Sequence, residues 1–468
     1  MSTKMKILLP ILVAVIVALL PTPEGLNVNA HYFFAIFLGV VVGLILEPIP
    51  AALIGLCGVT LSAVLGLVGT SAKANQTWAL SGFSNSVIWL IFAAFMFALG
   101  YQRSGLGKRI ALLLVRALGK TSLGLGYAVA FTDGILAPFM PSNTARSAGT
   151  IFPIAINIPQ MFNSTPENEP EKLGSYISWV AIASTCITSS MFLTALAPNL
   201  LAVSLVEKNA GIIISWGEWF QTLAIIMIPL FLITPYLAYL IYPPKQKKFA
   251  EASSWASKEL DKMGATTAKE FTMLGLGILA LTLWIFGSTF HISGTVAAIA
   301  VLVLLVLTQV ISWEDVITNK AAVNVFIWFA TLVTMASGLK KVGFLDWSSK
   351  LISANLVGFD HLTVIALLVI LFFVFHYLFA SVTAHVVALL PLFLAIGTEL
   401  LPATMMPTLS ILLVGSLGLM GILTPYATGP SPIWYGAGYI KQSTWWRLGL
   451  IFGAIYLAAL VLLTFVLV

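Results

Sequence analysis

The sequence predicts an all-α polytopic membrane protein built from two inverted repeats, each with a re-entrant helical hairpin and a broken transmembrane helix. Three observations carry that prediction. The first is composition: 59% of the 468 residues are hydrophobic and 9% are charged, with a mean hydropathy of +1.02, which leaves too little polar surface to cover a globule in water. The second is a recurrence. Asn85-Ser86-Val87-Ile88-Trp89 returns as Asn324-Val325-Phe326-Ile327-Trp328, and Ser142-Asn143-Thr144-Ala145-Arg146 returns as Ser381-Val382-Thr383-Ala384-His385, both after a step of 239 residues. The third is the polar heptapeptide from Pro141 to Ser147, lodged between runs fit for the interior of a bilayer, where hydroxyls, an amide and a guanidinium are costly unless they face protein, water or a ligand.

Taken in order, the chain opens with an N-terminal segment, 1–29. Its apolar run Ile7 to Leu20 follows Lys4 and Lys6, and Pro21-Thr22-Pro23-Glu24 follows it in place of a small-residue cleavage site, so it reads as a first membrane helix and not as a signal peptide. Further spans are expected at 30–47, 50–70, 86–102, 173–206, 219–242, 271–288, 293–311, 321–338, 406–440 and 446–467, most of them near the ~20 residues that one crossing requires. The hydrophilic linker 243–270 separates a first repeat, 30–242, from a second, 271–468. Basic residues gather at Arg103 to Lys120 and in that linker, which predicts a cytoplasmic N-terminus in a bacterial plasma membrane. Lys340 and Lys341 fall on the opposite side, where they answer Arg103 and its neighbours as interfacial residues ahead of an amphipathic segment.

The apolar arms around Ser142 and Ser381 total about 35 residues each, too few for two full crossings at 1.5 Å per residue. They are expected to form hairpins over 122–159 and 362–397 whose tips reach the midplane from opposite sides. A helix beginning at either serine presents free N–H groups and a positive dipole end at the tip, a setting that favours an anion. The spans 173–206 and 406–440 exceed one crossing, and each is interrupted, by Thr194-Ala195-Leu196-Ala197-Pro198-Asn199 and by Thr424-Pro425-Tyr426-Ala427-Thr428-Gly429-Pro430-Ser431-Pro432. Proline removes a backbone donor, so both spans should break into half-helices. Inverted repeats with broken helices at their interface are the architecture of secondary transporters.

Several classes are set aside on the same grounds. The net charge of +6 is a topology signal and not a nucleic-acid signal, because its basic residues lie in loops beside apolar spans. Cys57 and Cys186 sit in apolar segments and read as small core residues. The five histidines lack metal-ligand spacing, and no Ser/His/Asp arrangement or nucleotide-binding loop is present, so neither an enzyme, a bound metal, a cofactor nor ATP coupling is expected. A channel would need repeated rings of acids or carbonyls.

The paired tips, the two broken helices and the closing Gly436-Ala437-Gly438-Tyr439-Ile440 resemble the divalent anion/sodium symporter family over nearly the whole chain. Pro141 to Arg146 and Thr428-Gly429-Pro430-Ser431-Pro432 are most similar to its citrate/succinate antiporters and plastid 2-oxoglutarate/malate translocators. The resemblance implies a homodimer of elevator type, in which a transport domain slides against a scaffold and a di- or tricarboxylate is held between the tips. The substrate-binding candidates are then Ser142, Asn143, Thr144 and Arg146 of the first tip, Ser381, Val382, Thr383 and His385 of the second, Thr194, Pro198 and Asn199 at the first break, and Thr424, Pro425, Thr428, Gly429 and Pro430 at the second.

One departure from the family pattern is informative. Sodium-coupled relatives are expected to carry Ser-Asn-Thr at both tips, and Val382 removes one hard oxygen ligand from such a site. Arg146 and His385, at matching register, would instead form a basic cradle that neutralises the substrate. The expectation is sodium-independent, obligate exchange of C4-dicarboxylates, 2-oxoglutarate, citrate or tartrate, driven by the cost of moving an uncompensated Arg146; the alternative is a sodium-coupled dicarboxylate symporter of the same fold. Asp133 reads as a structural partner of Arg146, and His376 as a structural hydrogen bonder.

Overall fold

The computed structural model describes residues 3–354, 356 and 358–467, and among them every regular element is a helix. Ten helices are long and apolar enough to cross a membrane, from Val28–Leu46 to Gln442–Leu467, with Thr3–Leu19, Ala51–Val64 and Gly294–Leu307 as shorter apolar companions. The span expected over 50–70 is therefore a helix of only 14 residues, ended at Gly66, whose φ of +67° turns the chain away. Cys186 is buried as expected, whereas Cys57 lies on the exposed face of Ala51–Val64, because that helix presents one side outward.

The first hairpin consists of Ser122–Leu136, the short turn Ala137–Phe139, and a descending arm that starts as π-helical turns, Thr144–Ile151, and continues as Phe152–Met161. Its two feet stand on the same face. Residues 245–249 of the linker hold both: at the first foot Ser122 N donates to Lys247 O at 3.1 Å and Phe249 N to Lys120 O at 2.9 Å, at the second Phe162 packs edge-on against Phe249 with ring centroids 4.6 Å apart, and ahead of the next helix Lys245 N donates to Glu171 O at 3.0 Å and Gln246 N to Lys172 O at 3.2 Å. A hairpin with both feet on one face returns to the side from which it started. The Lys245 ammonium, 2.8 Å from Glu171, bonds that carboxylate and holds it below its ordinary range.

The linker is more structured than its hydrophilic composition suggested. Helix Ala250–Met263 lies along the amphipathic helix Leu106–Leu118, with Ser253 Oγ donating to Arg116 O at 2.6 Å. Arg109 is buried there and holds both oxygens of Glu270, at 2.6 and 3.2 Å, together with Gly264 O at 3.1 Å. Glu270 also closes a capping box with Thr267. A charge so enclosed keeps its place because each of its three nitrogens finds an acceptor.

On the opposite face, the second hairpin runs through His361–Val374, Phe375–Leu378 and Val382–Leu400, and its returning arm packs along the amphipathic helix Phe344–Ser353. Gly105 and Gly343, at φ +80° and +83°, make the sharp entries into the two amphipathic helices. The helices that precede them, Ser86–Ser104 and Lys320–Lys341, pack antiparallel: Gly82 N meets Thr334 Oγ1 at 3.0 Å and Asn319 approaches Met96.

The two broken spans cross at the centre. The first is Gly174–Met191 followed by Ala197–Ala210; the second is Met406–Leu419 followed, after the turn 420–430, by Ser431–Gly436. A Cβ on Gly418 would lie 2.5 Å from Ser190 N and 2.6 Å from Cys186 O, so only glycine allows this backbone contact, and Leu419 N donates to Ser190 Oγ at 3.0 Å beside it.

Candidate functional site

Both hairpin tips are built on a serine that caps its descending arm. Ser142 Oγ accepts from Ala145 N at 3.1 Å, and Ser381 Oγ accepts from Ala384 N at 3.4 Å, the same offset in each copy. The caps consume the serine hydroxyls locally and leave the next backbone amides at each tip without an intrahelical acceptor, as at any helix start. Ser142, Thr144 and Ser381 are half-buried, while Asn143, Val382 and Thr383 are buried.

The first tip is joined to both breaks. Ala197 N donates to Pro141 O at 2.7 Å and Thr194 Oγ1 donates to Pro138 O at 2.6 Å, so the first break is sewn to the backbone of the tip. Thr194 in turn accepts from Trp216 Nε1 at 3.1 Å. Pro198 occupies the second position of Ala197–Ala210, where a missing donor costs nothing. Asn199 donates to Ser189 O at 2.6 Å, bracing the break from within.

Across the site, Asn143 Nδ2 donates to Thr428 Oγ1 at 2.8 Å. Gly429 lies directly on Thr144, where a Cβ would come within 1.9 Å of its Oγ1. Ser431 N donates to Thr428 O at 3.0 Å, Pro430 O accepts from Trp434 N at 3.1 Å, and Thr424 Oγ1 accepts from Tyr426 N at 3.4 Å; Pro425 is buried beside them. The structure therefore brings Asn143, Thr144, Thr428 and Gly429 together. The second tip approaches through its arms: His376 Nε2 bonds Ala427 O at 2.8 Å, and Val382–Leu400 packs along Ala197–Ala210.

Arg146 does not face the space between the tips. It is fully buried and makes an ion pair with Asp133 at 3.1 Å, and Nη1 donates to Met140 O and Ala195 O, both at 2.8 Å, while Nη2 donates to Ser189 Oγ at 3.1 Å. Thr185 and Thr188 donate to the same Asp133 carboxylate, and Trp434 Nε1 donates to Ser147 Oγ at 3.0 Å, extending the network to the second break. The expected basic cradle is corrected accordingly. Arg146 is compensated within the protein by Asp133, so an unpaired guanidinium is not what makes an empty carrier costly.

His385 is corrected on parallel grounds. Its ring is wholly buried against Phe372, Phe379 and His376, with centroids 4.4, 5.0 and 5.0 Å away, and neither ring nitrogen has a hydrogen-bond partner among the described residues. The step of 239 explains the surroundings, because it carries Asp133 to Phe372, Met140 to Phe379 and Arg146 to His385. An ion pair in the first copy is replaced by an edge-on aromatic contact in the second. Both brace a hairpin, one by charge and one by packing.

Thr185, Thr188, Ser189 and Trp434 lie outside the residues that the sequence marks as candidates, while Ser147 closes the polar heptapeptide. A signal was present: Gly174–Met191 carries Ser175, Ser178, Ser184, Thr185, Thr188, Ser189 and Ser190, and every residue of that helix is buried. A membrane helix so rich in hydroxyls has no face fit for lipid and must be enclosed by protein.

Cavities approach the first hairpin from both faces. One of about 340 Å³ on the linker side is lined by Gln102, Lys108, Met140, Thr150, Asn157 and Trp255. Another of about 670 Å³ on the opposite side is lined by Val87, Thr194, Val203, Trp216, Gln221 and Trp284, and so reaches the first break.

The family model for the sodium:sulfate symporter transmembrane region matches residues 1–467. Over 468 residues the chain is 45% identical to proteins named L-tartrate/succinate antiporter in Shigella flexneri and in Escherichia coli strain K12, covering 97% of this chain and 96% of each relative. The crystal structure of the Alcanivorax borkumensis YdaH transporter, described as having an unusual topology, matches with a TM-score of 0.56 over 88% of this chain and 97% of that one, at 16% identity, a likeness of fold.

Proposed function

The chain belongs to the sodium:sulfate symporter family of membrane transporters, and from that premise we propose that it exchanges C4-dicarboxylates such as succinate and tartrate across the membrane without sodium. The observation that carries this reading is the seat of the first tip on the second break, where Asn143 bonds Thr428 and Gly429 packs on Thr144. That seat gathers hydroxyls, an amide and the amide-rich start of a helix, donors suited to carboxylate oxygens.

Exchange is obligate for a reason other than the arginine. The tip amides lack intrahelical acceptors, and an empty carrier would move these donors through a dehydrated interface unsatisfied, at roughly 1–3 kcal/mol for each buried group. A bound dianion satisfies them. Val382 stands where the first tip has Asn143, which removes an oxygen that a sodium site would use.

The two halves act as inverted repeats, supported by the antiparallel packing of Ser86–Ser104 with Lys320–Lys341 and by the matching caps. The linker face, rich in basic residues, is the cytoplasmic face of a bacterial plasma membrane. The hairpins and broken helices move together against a scaffold in a homodimer of elevator type. In purified protein, succinate, L-tartrate and 2-oxoglutarate are expected to raise thermal stability equally in sodium and in choline buffers, by about 2.7 kcal/mol at a hundredfold excess over Kd. Stabilisation that requires sodium would favour the sodium-coupled symporter, and stabilisation by sulfate alone would overturn the dicarboxylate assignment.

A further inference from the structure

A second cavity on the face opposite the linker is lined by Lys73, Lys208, Lys340 and Lys341, together with Ser81, Ser337 and other small polar groups, and encloses about 690 Å³. No carboxylate lines it. The acid next in sequence, Glu207, is exposed beside Lys208 and outside the lining. Lys340 is held in place: its ammonium donates to Lys208 O at 2.9 Å and Asn209 O at 2.8 Å, at the end of helix Ala197–Ala210. Four cations drawn from three separate elements around one concavity repel one another, and of the four the packing just described employs Lys340 alone.

We propose that this basin is a capture site for small dicarboxylate dianions, which it concentrates before they enter the crevice leading to Thr194. The proposal rests on the dicarboxylate reading above. The basin and the crevice are neighbours: Asn85 Nδ2 donates to Ser204 Oγ at 2.8 Å, and this bond falls between Ser81 and Val87 on one chain segment and between Val203 and Lys208 on the other. Its polar groups are hydroxyls and ammonium groups, a set that suits a solute of two negative charges, although Ala74, Trp78 and the lysine stems make its surface more apolar than polar. Like charges lining a cleft raise the local concentration of a counter-ion and its rate of entry, and salt screens the effect.

The test compares the parent with the Lys73→Gln/Lys341→Gln variant, which leaves the anchored Lys340 in place. Succinate exchange is measured in intact cells and in inverted membrane vesicles, which present opposite faces. At an ionic strength of ~20 mM the variant is expected to show a KM raised roughly threefold to tenfold from the cell exterior, with little change in maximal rate. Its KM from inverted vesicles should equal that of the parent, and the difference should vanish at ~0.3 M salt. An unchanged exterior KM at low salt, or an equal shift at both faces, overturns the capture site. A shift present in liposomes with phosphatidylglycerol and absent in neutral ones assigns the basin to a lipid headgroup and also overturns it. A parent protein that exchanges no dicarboxylate at either face overturns the function itself, an outcome distinct from a failure of the basin alone.

Discussion

Arg146→Ala is expected to cost folded protein and not only transport. The substitution leaves the Asp133 carboxyl in a fully protein-lined site with Thr185 and Thr188 as its remaining partners among the described residues, and it orphans the carbonyls of Met140 and Ala195 that shape the first tip. Breaking one side of a buried pair costs about 3–5 kcal/mol. Asp133→Ala should be similarly severe, because it strands the guanidinium. The double variant Asp133→Ala/Arg146→Ala should be less damaged than the two singles together predict, with a coupling of roughly 2 kcal/mol or more between the positions. Yield of monodisperse protein and thermal midpoint read this directly. Single variants as stable as the parent would mean that the pair is solvated and that the guanidinium is free for substrate.

Gly429→Ala should abolish exchange while leaving membrane insertion intact. Its new methyl would need to occupy space 1.9 Å from Thr144 Oγ1 and 3.3 Å from Thr144 Cβ, so the Thr144 hydroxyl must turn out of the seat, or the tip or the loop 424–430 must retreat. A displacement of about 1 Å in a binding geometry is worth on the order of 100-fold in rate. Adding Thr144→Ala removes the hydroxyl and should recover a substantial part of the loss. Parent-like exchange by Gly429→Ala alone would show that the tip does not rest on this loop during transport.

Much of the fold was legible because apolar length, proline and a repeated motif are all local properties. The hairpins, the two breaks and the linker position could be read from arms too short for two crossings and from clustered prolines. The linker helix Ala250–Met263 was not, since its helicity is secured by contact with Leu106–Leu118, far away in sequence. The site was legible in its polar tips and less so in its charges. Arg146 announced itself as unusual, yet the residue type cannot say whether a buried guanidinium meets ligand or protein. Asp133, thirteen residues earlier, was the clue, and the step of 239 to Phe372 and His385 shows that the second copy manages without charge at that position. The hold of 245–249 on the first hairpin foot and on residues 171–172 is made of backbone hydrogen bonds, which leave no trace in side-chain identity.

The central claim is that a dicarboxylate crosses only in exchange for another, without sodium. Counterflow of labelled succinate into sodium-free proteoliposomes measures it. Vesicles loaded with unlabelled succinate or tartrate should accumulate label rapidly, empty vesicles should not, and loaded vesicles should retain their contents in substrate-free buffer. Uptake that depends on an inward sodium gradient, or efflux into substrate-free buffer as fast as into substrate, would contradict the account.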